Sequence, residues 1–204
     1  MAIQNLNEFL GFFRKQANRF GKKASWNTFR IVAEEGGLQF YHGATRGVFT
    51  HDKWDFVIKI DRMWDADDHK YCELEAENYA SAIRYGIQQV VLPTELVAEI
   101  NGIKIYRQPK YTFSANELPM QFKTRLRKKL KGLERKDIVD KIDRSCYDGI
   151  YHLWLAHALL LYGKAYMKSF EAWTQEHRIN DLHTGNIGWL KGKPILLDYA
   201  GYFG

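Results

Sequence analysis

Among 204 residues there are only two cysteines, Cys72 and Cys146. They lie too far apart in sequence for a short-spaced thiolate metal site, and they are too few for a disulfide-built scaffold. A reducing cytoplasm is the expected compartment. Long apolar runs are also missing. The longest, Leu153 to Tyr162, is broken by His157. It falls short of the roughly eighteen residues of a membrane span and reads as a buried helix. The opening stretch, MAIQNLNEFLGFFRKQ, has no basic segment followed by an apolar one and a small-residue cleavage site, so no secretory leader is expected. Internal repeats and low-complexity segments are absent as well.

What is present points to a packed globular chain. Hydrophobic residues make up 46% and aromatics 15%, which excludes a disordered polypeptide. A mass of 23.9 kDa suffices for one sizeable core or for two small lobes sharing a cleft. The net charge of +6 is concentrated in one place. Between Gln121 and Asp137 stand Lys123, Arg125, Arg127, Lys128, Lys129, Lys131, Arg135 and Lys136 against Glu134 and Asp137, so this segment alone carries the excess. A uniformly basic chain would suggest nucleic acid. One basic helix on a neutral body, spaced by Leu126, Leu130 and Leu133, is either a solvated surface or a docking face for an acidic partner or nucleic acid.

Leu6, Phe9, Leu10 and Phe13 recur at helical spacing, which predicts an amphipathic helix over 5–20. From Thr28 to Asp61 the texture changes to short β-rich pieces, FRIVA, LQFY, GVFT and DFVIKI, punctuated by glycines at 36, 37, 43 and 47. A helix follows to about Tyr85, with an N-cap expected within Asp65–Asp68. Two strands, Leu96–Ile100 and Ile103–Arg107, are joined by Asn101-Gly102, a strong hairpin signal. Beyond Pro109 helices are expected at about 117–131, 135–147 and Ile150 to about Glu176. Two short strands, Ile187–Leu190 and Ile195–Leu197, then flank Lys191-Gly192-Lys193. Strands followed by helices indicate an α+β fold with two lobes, residues 1–108 and 109–204, and a cleft between lobes is a usual ligand site.

The densest chemistry lies in HRINDLHTGNIGWLKGKPILLDYAG, residues 177–201. Asp181 and Asn186 share one loop across the turn-forming Thr184-Gly185, and Asp198 follows the hairpin. Oxygen ligands of this kind suit Mg²⁺, which takes one or two carboxylates and leaves its other positions to water and phosphate. A carboxylate not needed by the metal can orient and deprotonate an attacking hydroxyl. In the first half, Gly43-Ala-Thr-Arg-Gly47 forms a flexible turn whose amides could approach phosphate oxygens. Lys59 interrupts the apolar run Phe56-Val-Ile-Lys-Ile, and a lysine there needs an anionic partner. Glu73, Glu75 and Glu77 on the next helix are the candidates. Glu75 shares a stripe with Tyr79 and Ile83, whereas Glu73 and Glu77 read as a solvated face, so Glu75 is the expected partner.

D-L-H-T-G-N resembles the catalytic loop of the protein-kinase-like superfamily, H-R-D-L-x-x-x-N. His183 matches the D-x-H-x-x-N form of aminoglycoside phosphotransferases and of small bacteriophage Ser/Thr protein kinases. L-D-Y-A-G resembles the D-F-G segment with one residue inserted. The resemblance implies a minimal two-lobed kinase-like fold, with a β-rich N-lobe and a truncated helical C-lobe, that binds ATP and Mg²⁺. It makes Asp181 the catalytic base, Asn186 and Asp198 the metal ligands, and sets His183 near the transferred phosphate. Lys59, held by Glu75, would meet the α- and β-phosphates, under the Gly43–Gly47 turn. Gln108-Pro109-Lys110 resembles the hinge that holds adenine.

There are departures from the pattern. Ile179 and Asn180 stand where the family has His-Arg, and that arginine normally receives a phosphorylated activation loop. Six residues, Tyr199 to Gly204, follow Asp198, leaving no counterpart here of the activation loop, peptide-positioning segment and distal helices. The implied activity is ATP-dependent phosphoryl transfer to a protein Ser/Thr hydroxyl, for instance on a host protein. The alternatives are a kinase-like nucleotide-binding protein that grips a partner through its basic helix, and a small-molecule phosphotransferase.

Overall fold

A computed structural model of the chain describes residues 3–20, 24–62, 70–130 and 149–201. The expected N-cap within Asp65–Asp68, the helix expected at 135–147, the basic residues beyond Leu130 and Cys146 lie outside the described residues. The fold is α+β, and the chain divides into two compact units. One comprises Met1–Ala76 and Pro93–Lys110, the other Glu77–Leu92 and Tyr111–Gly204. The segment 77–92, expected with the first half, thus belongs to the second unit.

The first unit is a five-stranded antiparallel sheet backed by two helices. Its strands are β1 (Gln39–His42), β2 (Arg46–Thr50), β3 (Phe56–Asp61), β4 (Glu95–Ile100) and β5 (Ile103–Pro109), in the order β1-β2-β3-β5-β4. Helix α1 (Leu6–Ala17) starts at Asn5, whose side chain accepts the Glu8 N–H, and it buries Phe9, Phe13 and Ala17. Helix α2 (Trp26–Gly36) replaces the strand expected at FRIVA. Ser25 and Thr28 close a reciprocal capping box, and Gly37 ends the helix in the left-handed conformation at φ 65°. Phe29, Val32, Ala33 and Gly36 then fall on one buried face at helical spacing. These caps and this period override the β preference of Ile and Val.

Strand register separates the sheet into two faces. Phe56, Ile58 and Ile60 of β3 are buried with Phe9, Phe13, Phe29, Phe49, Ile103 and Ile105 in one aromatic-rich core. Alternation sends Val57, Lys59 and Asp61 to the opposite face. Arg46 pairs with Asp61, Val48 with Lys59, and Val57 with Gln108, so Arg46 and Gln108 share the face of Lys59. The β4–β5 turn takes the form expected for Asn101-Gly102, both residues having positive φ (53° and 78°).

Helix α3 (Tyr71–Arg84) buries Cys72, Glu75, Asn78, Ser81 and Ala82. Ile83, expected on the same stripe as Glu75, is exposed instead. The buried set advances by three and four residues from Cys72, a phase that turns Ile83 outward.

The second unit carries a three-stranded sheet, β6 (Phe113–Ser114), β7 (Ile187–Leu190) and β8 (Lys193–Leu196). Helices α4 (Met120–Lys129) and α5 (Gly149–Glu176) pack with it. Trp154, Phe170, Trp173, Trp189, Leu126, Ile187 and Leu196 form its core. The uninterrupted helix expected over Ile150–Glu176 is broken at Gly163, where φ is 82° and ψ 170°. Only glycine adopts that conformation cheaply. Leu160 and Leu161, at the end of a run expected to be buried throughout, are exposed. His157 is buried, and its Nδ1 accepts the indole N–H of Trp189.

Candidate functional site

In the first unit a buried polar cluster forms around Glu75. Lys59 Nζ donates to Glu75 Oε2 at 2.9 Å and to Oε1 at 3.2 Å. The carboxylate is 0% exposed and the lysine side chain 12%, so this is a desolvated ion pair. Glu75 is thus the acidic residue that meets Lys59. Glu73, expected on a solvated face, pairs with Lys104 and is partly buried. Two further groups, which sequence reasoning had not assigned to the cluster, converge on the same carboxylate. Arg46 donates to Glu75 Oε1 and lies over the Tyr71 ring at 5.7 Å. Gln108 donates through Nε2 to Glu75 Oε2 at 3.0 Å and to Thr94 Oγ1 at 2.6 Å. Gln108, expected to line an adenine hinge, therefore has its side-chain nitrogen committed to Glu75 and Thr94. The signal for Arg46 was strand parity: once β2 pairs with β3, Arg46 falls on the face of Lys59.

Asp61 completes the cluster. Burial raises its carboxyl above the ordinary value, while the Cys72 N–H (2.8 Å) and the charges of Arg46 and Lys59 oppose that rise. The Cys72 thiol is pushed well up, by burial first and then by Asp61 and Glu75, which makes it an inert core sulfur.

The two glycines of the Gly43–Gly47 turn differ. A Cβ on Gly43 would meet nothing within 4 Å. A Cβ on Gly47 would meet Phe40 at 2.7 Å and Trp26 at 2.8 Å, so this glycine makes room for rings. The turn carbonyls of Ala44 and Thr45 accept from Arg62, through its guanidinium and its backbone N–H respectively.

In the second unit, residues 181–186 form a compact loop anchored by buried Ile179 and Leu182 on one side and Ile187 on the other. Asn186 Nδ2 donates to the Asp181 carbonyl at 2.8 Å and to Asp181 Oδ2 at 3.2 Å. The Gly185 N–H donates to His183 Nδ1 at 2.9 Å. That bond requires a lone pair on Nδ1, so in the neutral ring the proton sits on Nε2, 3.4 Å from Asp181 Oδ1. A Cβ on Gly185 would lie 2.6 Å from the imidazole, so a larger residue there would have to displace the His183 ring from its bond to the Gly185 N–H. Asp181 and His183 keep 41% and 48% of their side-chain surface exposed, unlike the Glu75 cluster. The Asn186 carbonyl accepts the N–H groups of Leu197 (2.7 Å) and Asp198 (3.4 Å), which brings the Asp198 backbone beside Asn186.

Asn186 turns its amide nitrogen onto Asp181, which leaves Oδ1 as its outer acceptor. That oxygen and a carboxylate such as that of Asp198, whose backbone lies beside Asn186, are of the donor type Mg²⁺ prefers. Among the described residues no three His, Cys, Asp or Glu side chains cluster as a metal cage. No helix among them is long and apolar enough to cross a membrane. No protein-family model and no curated protein matches the chain.

Proposed function

We propose that the chain transfers the γ-phosphoryl group of ATP, with Mg²⁺, to a Ser or Thr hydroxyl of a protein, as a minimal kinase-like fold of two lobes. The observation that carries this reading is the buried Lys59–Glu75 ion pair on a strand face, the pairing that the kinase-like pattern implies. The Asp181–Asn186 loop supports it independently, because Asn186 holds the Asp181 carboxylate in place while nearly half of that side chain remains open to solvent.

In this reading Lys59 binds the α- and β-phosphates, and Glu75 fixes the lysine. Asn186 and Asp198 hold Mg²⁺, which neutralises phosphate charge when bound. Asp181 orients the acceptor hydroxyl and takes its proton as the hydroxyl oxygen bonds to the γ-phosphorus. The bond from that phosphorus to the bridging oxygen breaks, and ADP leaves. His183, proton on Nε2, donates toward Asp181 and the transferred group. The reading assigns the phosphate lysine to one unit and the base and metal ligands to the other.

A second reading, a nucleotide-binding protein that grips a partner, draws on α4. Arg125, Arg127, Lys128 and Lys129 are all exposed on three helical turns with no acidic residue in the first. Like charges at i and i+4, as in Arg125 and Lys129, repel one another, and an acidic partner would relieve that repulsion.

Thermal denaturation with Mg²⁺-ATP tests the common core of both readings. A ligand that binds only the folded state raises the melting temperature by mass action. Lys59→Ala and Asp198→Ala should each diminish the rise, although they lie in different units. No rise for the unmodified protein at millimolar nucleotide would remove the nucleotide from both readings.

A further inference from the structure

Glu75 is a fully buried carboxylate, and its two oxygens are shared among three side chains from three strands. Oε1 receives Arg46 of β2 and Lys59 of β3. Oε2 receives Lys59 and Gln108 of β5. The two cations pull toward β2 and β3. The Gln108 amide is the neutral donor on the β5 side, and it is itself held by Thr94, the residue just before β4. Gln108 and Thr94 are 2% and 3% exposed. An ionised carboxylate only accepts, so the Gln108 amide must face it nitrogen first. The second hydrogen of that nitrogen points to Thr94 Oγ1, which locks the orientation. Each donor lost here leaves a buried acceptor short of a partner in a low-dielectric setting, where such bonds are strongest.

We propose that Thr94 and Gln108 are positioning residues: they pin Glu75 so that the Lys59 ammonium is held in one place before any ligand arrives. The assignment deepens the nucleotide reading, because a lysine fixed in advance binds phosphate without an ordering cost. Its own evidence is a chain of bonds within one unit, Thr94–Gln108–Glu75–Lys59, and it is testable without nucleotide. It also gives Gln108 a role other than lining an adenine hinge.

The test is trace acetylation of the ligand-free protein with acetic anhydride, read by peptide mass spectrometry as the rate at Lys59 relative to exposed Lys191. Gln108→Leu removes the donor to Glu75. Thr94→Val removes the acceptor that orients Gln108 while keeping shape, and Thr94→Ser retains it. The Lys59 rate should rise about tenfold in Gln108→Leu, the usual worth of a hydrogen bond to a charged group. It should rise a few-fold in Thr94→Val and return to the unmodified value in Thr94→Ser. Lys59 reacting at the unmodified rate in both Gln108→Leu and Thr94→Val would overturn the proposal. If Gln108→Leu does not fold, the Thr94→Val and Thr94→Ser pair decides alone: equal rates in those two overturn the proposal, and a faster valine variant upholds it. A parallel titration with Mg²⁺-ATP separates the two claims. Faster labelling in a protein that binds no nucleotide sustains the relay and removes the nucleotide reading. Unchanged labelling in a protein that does bind nucleotide removes the relay alone.

Discussion

The Glu75 cluster and the Asp181 loop hold their carboxylates in opposite ways. Glu75 is sealed from solvent and bonded to two cations and an amide drawn from three strands. Asp181 is close to half exposed and held by its own loop, through Asn186 five residues on and His183 two residues on. The first arrangement needs a sheet with correct register; the second needs one short turn that brings Asn186 and His183 back to Asp181. A buried charge set by tertiary structure is costly to disturb but stays in place. A solvent-facing carboxylate set by local structure is cheap to disturb and open to an incoming group. In the proposed reaction, the lysine that positions phosphate belongs to the first kind and the base that meets a changing acceptor to the second.

The largest effect that could break this contrast is on stability. Glu75→Ala leaves Arg46 and Lys59 without their shared carboxylate in a desolvated site. It should lower unfolding free energy by about 3–5 kcal/mol, as breaking one side of a buried ion pair does. Asp181→Ala should change it by less than about 1 kcal/mol, because His183 is exposed and Asn186 keeps its bond to the backbone carbonyl of residue 181. Urea denaturation of both variants measures the difference, and equal losses would erase the distinction between the two regions.

A smaller effect concerns acid. Burial, helped by the Lys129 charge, lowers the His157 pKa from 6.5 to about 4. The unfolded chain takes up the proton near pH 6.5, and the native state does so only near pH 4. The stability from keeping His157 neutral is present above pH 6.5 and is lost as pH falls through that window. Each tenfold weakening of proton binding in the native state is worth about 1.4 kcal/mol, so the loss is at most roughly 3 kcal/mol. His157→Gln, which retains an acceptor for Trp189, should flatten the stability curve between pH 6.5 and 4. An unaltered acid limb would show that His157 does not govern it.

The smallest expected effect is at α4. Reversing Arg127, Lys128 and Lys129 to Glu should leave the melting temperature nearly unchanged, since exposed charges contribute little. Capture of an acidic partner should fall, and the difference between the two forms should vanish as salt rises. Equal capture at low salt would return this helix to a solvated surface.

The two regions were also unequally legible in the sequence. The Asp181 loop is local, so a six-residue window contains its bonds and its glycine. The pairing of Lys59 with Glu75 was legible because a lysine inside an apolar strand demands an anion and helical phase narrows the choice. Ile83 was a false guide to that phase, because the true stripe runs through Cys72, Asn78 and Ala82. Arg46, Thr94 and the inward turn of Gln108 were not legible, since they depend on which strands pair and in what register. FRIVA is helical although its β-branched residues suit a strand, because the Ser25–Thr28 capping box starts a helix there. The break in α5 was missed because a glycine within an apolar run looks like any helix residue until its φ is known.

The central claim, that Asp181 is the base of a phosphoryl transfer, is tested most directly by measuring nucleotide affinity and transfer in the same variant. With labelled ATP, Mg²⁺ and a panel of protein acceptors, Asp181→Ala should keep ATP affinity within a few-fold. It should lose transfer by about 10²–10⁴-fold, the worth of a positioned general base. Transfer by a folded Asp181→Ala protein at the unmodified rate would contradict that role, and an unmodified protein that binds ATP yet labels nothing, itself included, would contradict the kinase.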